Sequence, residues 1–110
     1  MRLTNEEKKD LIKAIEEFIG KNPAELRLFG SRTDEHLKGG DIDLLLLVSH
    51  SKIKNQLQAK KHLILARIKE LLGDQKIDLY IAQFSDLDQD PFLQVIYPKS
   101  LVLNIWMNVT

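Results

Sequence analysis

The stretch GGDIDLLLLV, residues 39–48, joins a strongly apolar run to two acids at its start. Five consecutive apolar residues from Leu44 to Val48 predict a strand that is covered on both faces. Successive side chains of a strand point to opposite faces, so Asp41 and Asp43 project to the same side, roughly 6–7 Å apart at the backbone. Two like charges at the mouth of a buried strand either form a solvated strand end or hold a cation.

The rest of the chain predicts an α+β fold, in which helices pack on a small mixed β-sheet of about four strands. The first predicted helix starts at a capping box of Thr4 and Glu7 and ends at Gly20. It is followed by strands over 25–29 and 41–48, a helix over 54–72 and a strand over 76–82. A short helix over 91–97, with Asp90 as its N-cap, and a final strand from Ser100 complete the chain. The strand, helix and strand over 41–82 predict two parallel strands with a right-handed crossover. Only about a dozen residues join the first two strands, too few for a crossover helix, so we expect these strands to be antiparallel neighbours.

This topology brings distant polar residues to one edge of the sheet. Asp78 lies near the start of a strand that is parallel to the strand of Asp41 and Asp43, so it reaches the same edge. Gly30 and Ser31 end the antiparallel first strand and arrive there as well. Three carboxylates close together repel one another, and a divalent cation resolves that conflict.

The ligand types indicate which cation and which substrate to expect. Oxygen ligands without cysteine or a histidine pair suit Mg²⁺, with Mn²⁺ as an alternative. Mg²⁺ is usually held by a few carboxylates together with substrate phosphates, which implies a nucleoside triphosphate. Gly30 leaves room for phosphate oxygens near the backbone, and Ser31 offers a hydroxyl and an N–H. Arg32 either binds the polyphosphate or forms a salt bridge to the acids that follow it.

Composition sets limits on class and partners. The chain has 110 residues, enough for a single domain over residues 1–110. Its 16 basic and 16 acidic residues give zero net charge, so no overall field draws it to nucleic acid or to a membrane. It has no cysteine, its N-terminus is polar, and its longest apolar run is too short to span a bilayer. We therefore expect a cytoplasmic protein that binds neither nucleic acid nor membrane directly.

The spacing of these motifs resembles a known superfamily. The sequence LFGS at residues 28–31, nine intervening residues and DIDL at residues 41–44 resemble the signature of the polymerase-β-type nucleotidyltransferases. Asp78 in IDLYIA, residues 77–82, is similar to the lone third carboxylate of that pattern. The small size resembles the minimal nucleotidyltransferase (MNT) branch, whose members are often encoded beside a HEPN-domain protein as its antitoxin.

The resemblance implies a reaction and residue roles. Asp41 and Asp43 would bind two catalytic Mg²⁺ ions, Asp78 would complete the metal site and help to activate the attacking hydroxyl, and Gly30 and Ser31 would hold the triphosphate. The implied reaction transfers AMP from ATP to an acceptor hydroxyl. In MNT and HEPN pairs that acceptor is a tyrosine of the toxin.

The sequence leaves other functions open. The same fold would also serve as an antitoxin with little or no activity that neutralises its partner by contact. A third hypothesis is small-molecule modification, as in the aminoglycoside nucleotidyltransferases, but those enzymes generally carry an additional acceptor-binding domain. We therefore expect a partner chain to supply the acceptor. Trp106 and Met107 fit either the core or a partner surface. The sequence also leaves open whether the chain forms a homo-oligomer.

Overall fold

A computed structural model describes residues 3–30 and 41–107. Its helices and strands are, in chain order, α1 (Asn5–Ile19), β1 (Ala24–Phe29), β2 (Ile42–Val48), α2 (Ser51–Ala59), α3 (Lys61–Leu72), β3 (Ile77–Gln83), a 3₁₀ turn (Phe84–Asp88), α4 (Pro91–Ile96), a second 3₁₀ turn (Tyr97–Lys99) and β4 (Leu101–Trp106). This is the α+β architecture that the sequence predicts.

The four strands form one mixed sheet in the order β3-β2-β1-β4. β1 is antiparallel to β2 and to β4, and β2 is parallel to β3. The predicted antiparallel first pair and the predicted parallel second pair are both confirmed. The β2 and β3 strands therefore begin at the same edge of the sheet.

Each face of the sheet carries its own apolar layer. Leu44, Leu46 and Val48 of β2 lie in the larger core with residues of α1, α2 and α3, whereas Leu45 and Leu47 face Leu93 of α4. All five of these consecutive β2 residues are fully buried, which confirms a strand covered on both faces. Burial of this kind fixes the position of β2, and with it the acids at its start.

Local signals set the helix ends. The Thr4 hydroxyl accepts from the Glu7 N–H and the Glu7 carboxylate accepts from the Thr4 N–H, both at 3.0 Å, so the predicted capping box is confirmed. Gly20 ends α1 with φ +62°, a conformation that glycine adopts without steric cost. Asp90 caps α4 as predicted, since its carboxylate accepts from the Phe92 N–H at 2.9 Å.

The second predicted helix is wrong in one respect, because it is interrupted. The single helix expected over 54–72 is two helices, α2 and α3, which meet at Lys60 with φ −103° and ψ 9°. Lys60 leaves the helical region, and its N–H is shared between the carbonyls of Gln56 and Leu57. Neither glycine nor proline marks this bend, which explains why the hydrophobic pattern did not reveal it.

Candidate functional site

Two acids meet on adjacent strands. Asp43 of β2 is the register partner of Asp78 of β3, and across the antiparallel pair it is the partner of Phe29 of β1. The alternation of strand side chains places Asp43 on the same face as Leu45 and Asp78 on the same face as Tyr80, which is the face that α4 covers. The sequence prediction that these two acids share a sheet edge is therefore matched by the register.

The surroundings of Asp43 oppose its ionisation. Burial raises the pKa of the Asp43 carboxyl, and the negative charge of Asp78 and a hydrogen bond with Asp78 raise it further. The charge of Asp41 acts in the same direction, whereas the charge of Lys76 lowers this pKa. The pair therefore holds unfavourable negative charge that a cation would relieve.

Gly30, at the end of β1, packs against the carboxylate of Asp43. Its φ is +79°, and a Cβ built on it would overlap Oδ2 of Asp43 and lie 3.1 Å from the Asp43 Cγ atom. A residue with a side chain at position 30 would therefore have to displace the Asp43 carboxylate. Glycine lets the end of β1 approach this carboxylate closely.

Asp41 lies at the mouth of β2 but has a different neighbour. Its Oδ2 is 3.6 Å from Nζ of Lys76, and both side chains are substantially exposed. Within residues 3–30 and 41–107, no group of three or more Asp, Glu, His or Cys side chains is arranged to hold a metal ion. The structure therefore brings two of the three predicted carboxylates together and places the third beside a lysine.

The donor set matches the chemistry of Mg²⁺. This ion is commonly bound by one or two carboxylates, with substrate phosphates and water completing its shell. Asp43 and Asp78 supply two such carboxylates in register, and their mutual repulsion is the condition that a cation relieves. These two carboxylates fit a magnesium ion.

An aromatic wall beside the acids was not predicted. A cleft of about 310 Å³ is lined by Asp43 and Asp78 together with Phe29, Lys61, Leu79, Tyr80 and Phe92. The Phe92 ring packs edge-on against Phe29, with centroids 5.9 Å apart, and tilted against Tyr80, with centroids 5.0 Å apart. The position of Tyr80, two residues after Asp78 on one strand, would have indicated its face, but no sequence signal places Phe92 here.

A short hydrogen bond fixes this wall. The Tyr80 hydroxyl donates to Oδ2 of Asp90 at 2.6 Å, and Oδ1 of Asp90 accepts from the Phe92 N–H. The hydrogen bond to Asp90 is the main reason that the pKa of Tyr80 is raised to about 12, and the same bond lowers the pKa of Asp90. Asp90 thus ties β3 to the start of α4 and sets where Phe92 lies.

Two further predicted site residues belong to the segment between β1 and β2. Ser31 and Arg32 lie outside the described residues. Their assignment to triphosphate binding stays a prediction from the sequence.

The mixed sheet and the cleft that contains Asp43 and Asp78 define the class of protein, an α+β domain with paired carboxylates at one edge of its sheet. The chain belongs to the nucleotidyltransferase domain family, whose model matches residues 8–99. That match includes Gly30, Asp41, Asp43 and Asp78, and the observed fold is consistent with the family's. A search of curated proteins found no match to the chain. In the described part of the chain, no helix is long and apolar enough to cross a membrane.

Proposed function

We propose that this nucleotidyltransferase transfers AMP from ATP to a tyrosine hydroxyl of a partner HEPN-domain protein, in the cytoplasm and with Mg²⁺, and so acts as an antitoxin. The observation that carries the proposal is the in-register pair of Asp43 and Asp78 beside Gly30. Membership of the family supports nucleotidyl transfer in general. The choice of nucleotide, metal, acceptor and partner is the proposed part.

The acid pair is assigned to the metal. Asp43 and Asp78 would hold Mg²⁺, with Asp41 as a further ligand from the same strand end. When bound, the ion offsets phosphate charge and lowers the pKa of the attacking hydroxyl. Two such ions are the arrangement that the resemblance implies. Gly30, Ser31 and Arg32 are proposed to hold the triphosphate.

The chemical step is a substitution at the α-phosphorus of ATP. The acceptor oxygen forms a bond to that phosphorus, the bond from phosphorus to the pyrophosphate oxygen breaks, and pyrophosphate leaves with the bonding electrons. The acceptor proton passes to Asp78, whose side chain is exposed where an acceptor would arrive. Lys61 lines the same cleft and offers a positive charge toward the phosphates.

The aromatic wall supports an aromatic acceptor. Phe92 is 44% exposed although it is large and apolar, and it faces the cleft that contains both acids. A tyrosine ring packed on Phe92 would gain the apolar and edge-to-face contacts typical of aromatic pairs. Its hydroxyl would then lie toward Asp78. This arrangement favours a protein tyrosine over an aliphatic hydroxyl.

The test is a labelling experiment with the product of the adjacent gene as acceptor. The partner should acquire label from ATP labelled at the α-phosphate but not from ATP labelled at the γ-phosphate, and mass spectrometry should place an AMP group on a tyrosine. Asp43→Asn and Asp78→Asn should abolish labelling. Asp74→Asn is the matched control, because the Asp74 side chain is 99% exposed and does not line the cleft that contains Asp43 and Asp78.

The same experiment separates a non-catalytic antitoxin from an enzyme. If no label transfers while the wild type and the Asp43→Asn variant inhibit the partner equally, the protein acts by contact. If label transfers to a small aminocyclitol instead of the partner, the acceptor class is wrong. Label transferred equally by the wild type and both acid variants would contradict the assignment of the site.

A further inference from the structure

The last strand forms one open edge of the sheet. β4 pairs with β1 on one side, and among residues 3–30 and 41–107 no strand pairs with its other side. We call residues 101–107, with the sequence LVLNIWM, the β4 edge. An open edge presents backbone N–H and C=O groups that another strand can pair with.

The β4 edge lacks the features that normally keep such edges apart. It contains no charged residue and no proline, and four of its apolar side chains are exposed: Leu101 at 39%, Val102 at 44%, Ile105 at 54% and Met107 at 78%. Monomeric proteins usually protect an open strand with lysine, proline, an inward charge or a covering element. Exposed apolar residues on an unprotected strand indicate that another strand covers it.

The opposite edge of the same sheet, formed by β3, is protected, unlike the β4 edge. The side-chain amide of Gln58 in α2 lies 3.5 Å from the Ile81 carbonyl oxygen of β3. β3 also begins with the exposed charge of Asp78. The fold therefore shields one edge strand with a helix and a charge and leaves the other edge strand apolar and bare.

We propose that the β4 edge pairs antiparallel with the β4 edge of a second copy of this chain. An extended strand can pair with the open backbone groups along their whole length, and a second copy supplies a strand of equal length with the same open side. A twofold axis brings each edge against itself, which requires a self-compatible surface. The β4 edge meets this requirement because, without charges, it places no like charges opposite one another.

The resulting dimer has one continuous sheet that is twice as wide. The Asp43 and Asp78 strands lie toward the far edge from β4, with β1 between β2 and β4, so both candidate sites stay accessible. The proposal does not rest on the proposed function. An inactive protein would form the same dimer.

The experiment measures the mass in solution of the purified full chain by light scattering and sedimentation, from low micromolar to near-millimolar concentration. The wild type should have twice the mass of one chain at the higher concentrations. The double variant Val102→Lys and Ile105→Lys should be monomeric, because two copies would place lysines against each other. Leu63→Lys is the matched control, since Leu63 is 48% exposed on α3 and should leave the dimer intact.

A second measurement avoids dependence on the stability of the lysine variant. The chain has no cysteine, so a single Ile105→Cys substitution reports on the edge alone. Copies should cross-link rapidly through this position with a short bifunctional thiol reagent, and Leu63→Cys should not. A wild type that is monomeric at every concentration overturns the proposal, as does a dimer that keeps its mass in the double lysine variant or cross-links equally at both positions.

Discussion

Asp43 and Asp78 are register partners on the parallel strands β2 and β3, and burial and then the charge of Asp78 raise the pKa of Asp43. A fold selected only for stability would not keep two carboxyls side by side at a partly buried strand end. Such placements are typical of functional sites, whose residues often make the folded protein less stable than other residues at the same positions would. The pair therefore predicts opposite effects of mutation on stability and on activity.

The first prediction concerns Asp43→Asn. The amide keeps the size of the side chain and removes the like-charge repulsion, so we expect the free energy of unfolding to rise by roughly 0.5–1 kcal/mol at neutral pH. Nucleotidyl transfer should fall by about 100-fold or more, the scale of losing one electrostatic group in a site. Chemical denaturation and initial-rate assays measure the two effects. Asp74→Asn should change neither, and a less stable Asp43→Asn variant would contradict the repulsion.

The second prediction concerns the metal and needs no activity. Mg²⁺ or Mn²⁺ that binds the folded acid pair stabilises the fold by mass action, so we expect the melting temperature to rise with the concentration of the metal chloride. EDTA should reverse the rise. The Asp78→Asn variant should lose it, because one of the two carboxylates is absent.

Non-specific salt effects need a separate control in that experiment. Sodium chloride at matched ionic strength screens charges without occupying the site, so it should give a smaller shift. The Asp74→Asn variant should respond to Mg²⁺ as the wild type does. An equal response of all variants to both salts would mean that the acid pair does not bind the ion.

The third prediction separates two roles of Gly30. Gly30→Ala places a Cβ at φ +79°, which costs roughly 1–2 kcal/mol, and in addition forces it against the Asp43 carboxylate. Gly73→Ala also places a Cβ at a positive φ, +85°, but among the described residues no atom outside its chain neighbours lies within 4 Å of the added Cβ. We expect both variants to be less stable by denaturation, but only Gly30→Ala to lose transfer activity. Equal activities would mean that the contact with Asp43 has no functional role.

The sequence predicted the parts of this protein that depend on periodicity. The apolar run from Leu44 to Val48 identified a strand buried on both faces, and chain order then gave the orientation of its two neighbours. The parallel orientation of the two strands, together with the position of each acid near the start of its strand, was enough to bring Asp43 and Asp78 to one edge. These features follow from local rules that hold whatever the tertiary contacts are.

Features set by tertiary contact could not be predicted in the same way. Lys60 bends the second helix without a glycine or proline, and Asp41 lies beside Lys76 instead of completing a cluster of three acids. Phe92 reaches the cleft because Asp90 joins α4 to Tyr80 across ten residues of chain. Each of these depends on which side chains meet after folding, and a single sequence does not encode that as a pattern.

The last prediction concerns the hydrogen bond between Tyr80 and Asp90. The pKa of Tyr80 in the fold, about 12, is higher than the ordinary tyrosine value of 10.0. The bond therefore stabilises the fold fully below pH about 10, and this contribution is lost as the pH rises through about 12. Tyr80→Phe should lower the free energy of unfolding at neutral pH by about 1 kcal/mol, and the loss should disappear at strongly alkaline pH. The ultraviolet difference titration between wild type and Tyr80→Phe isolates the ionisation of Tyr80, and a midpoint near pH 10 would show that Asp90 does not hold this proton.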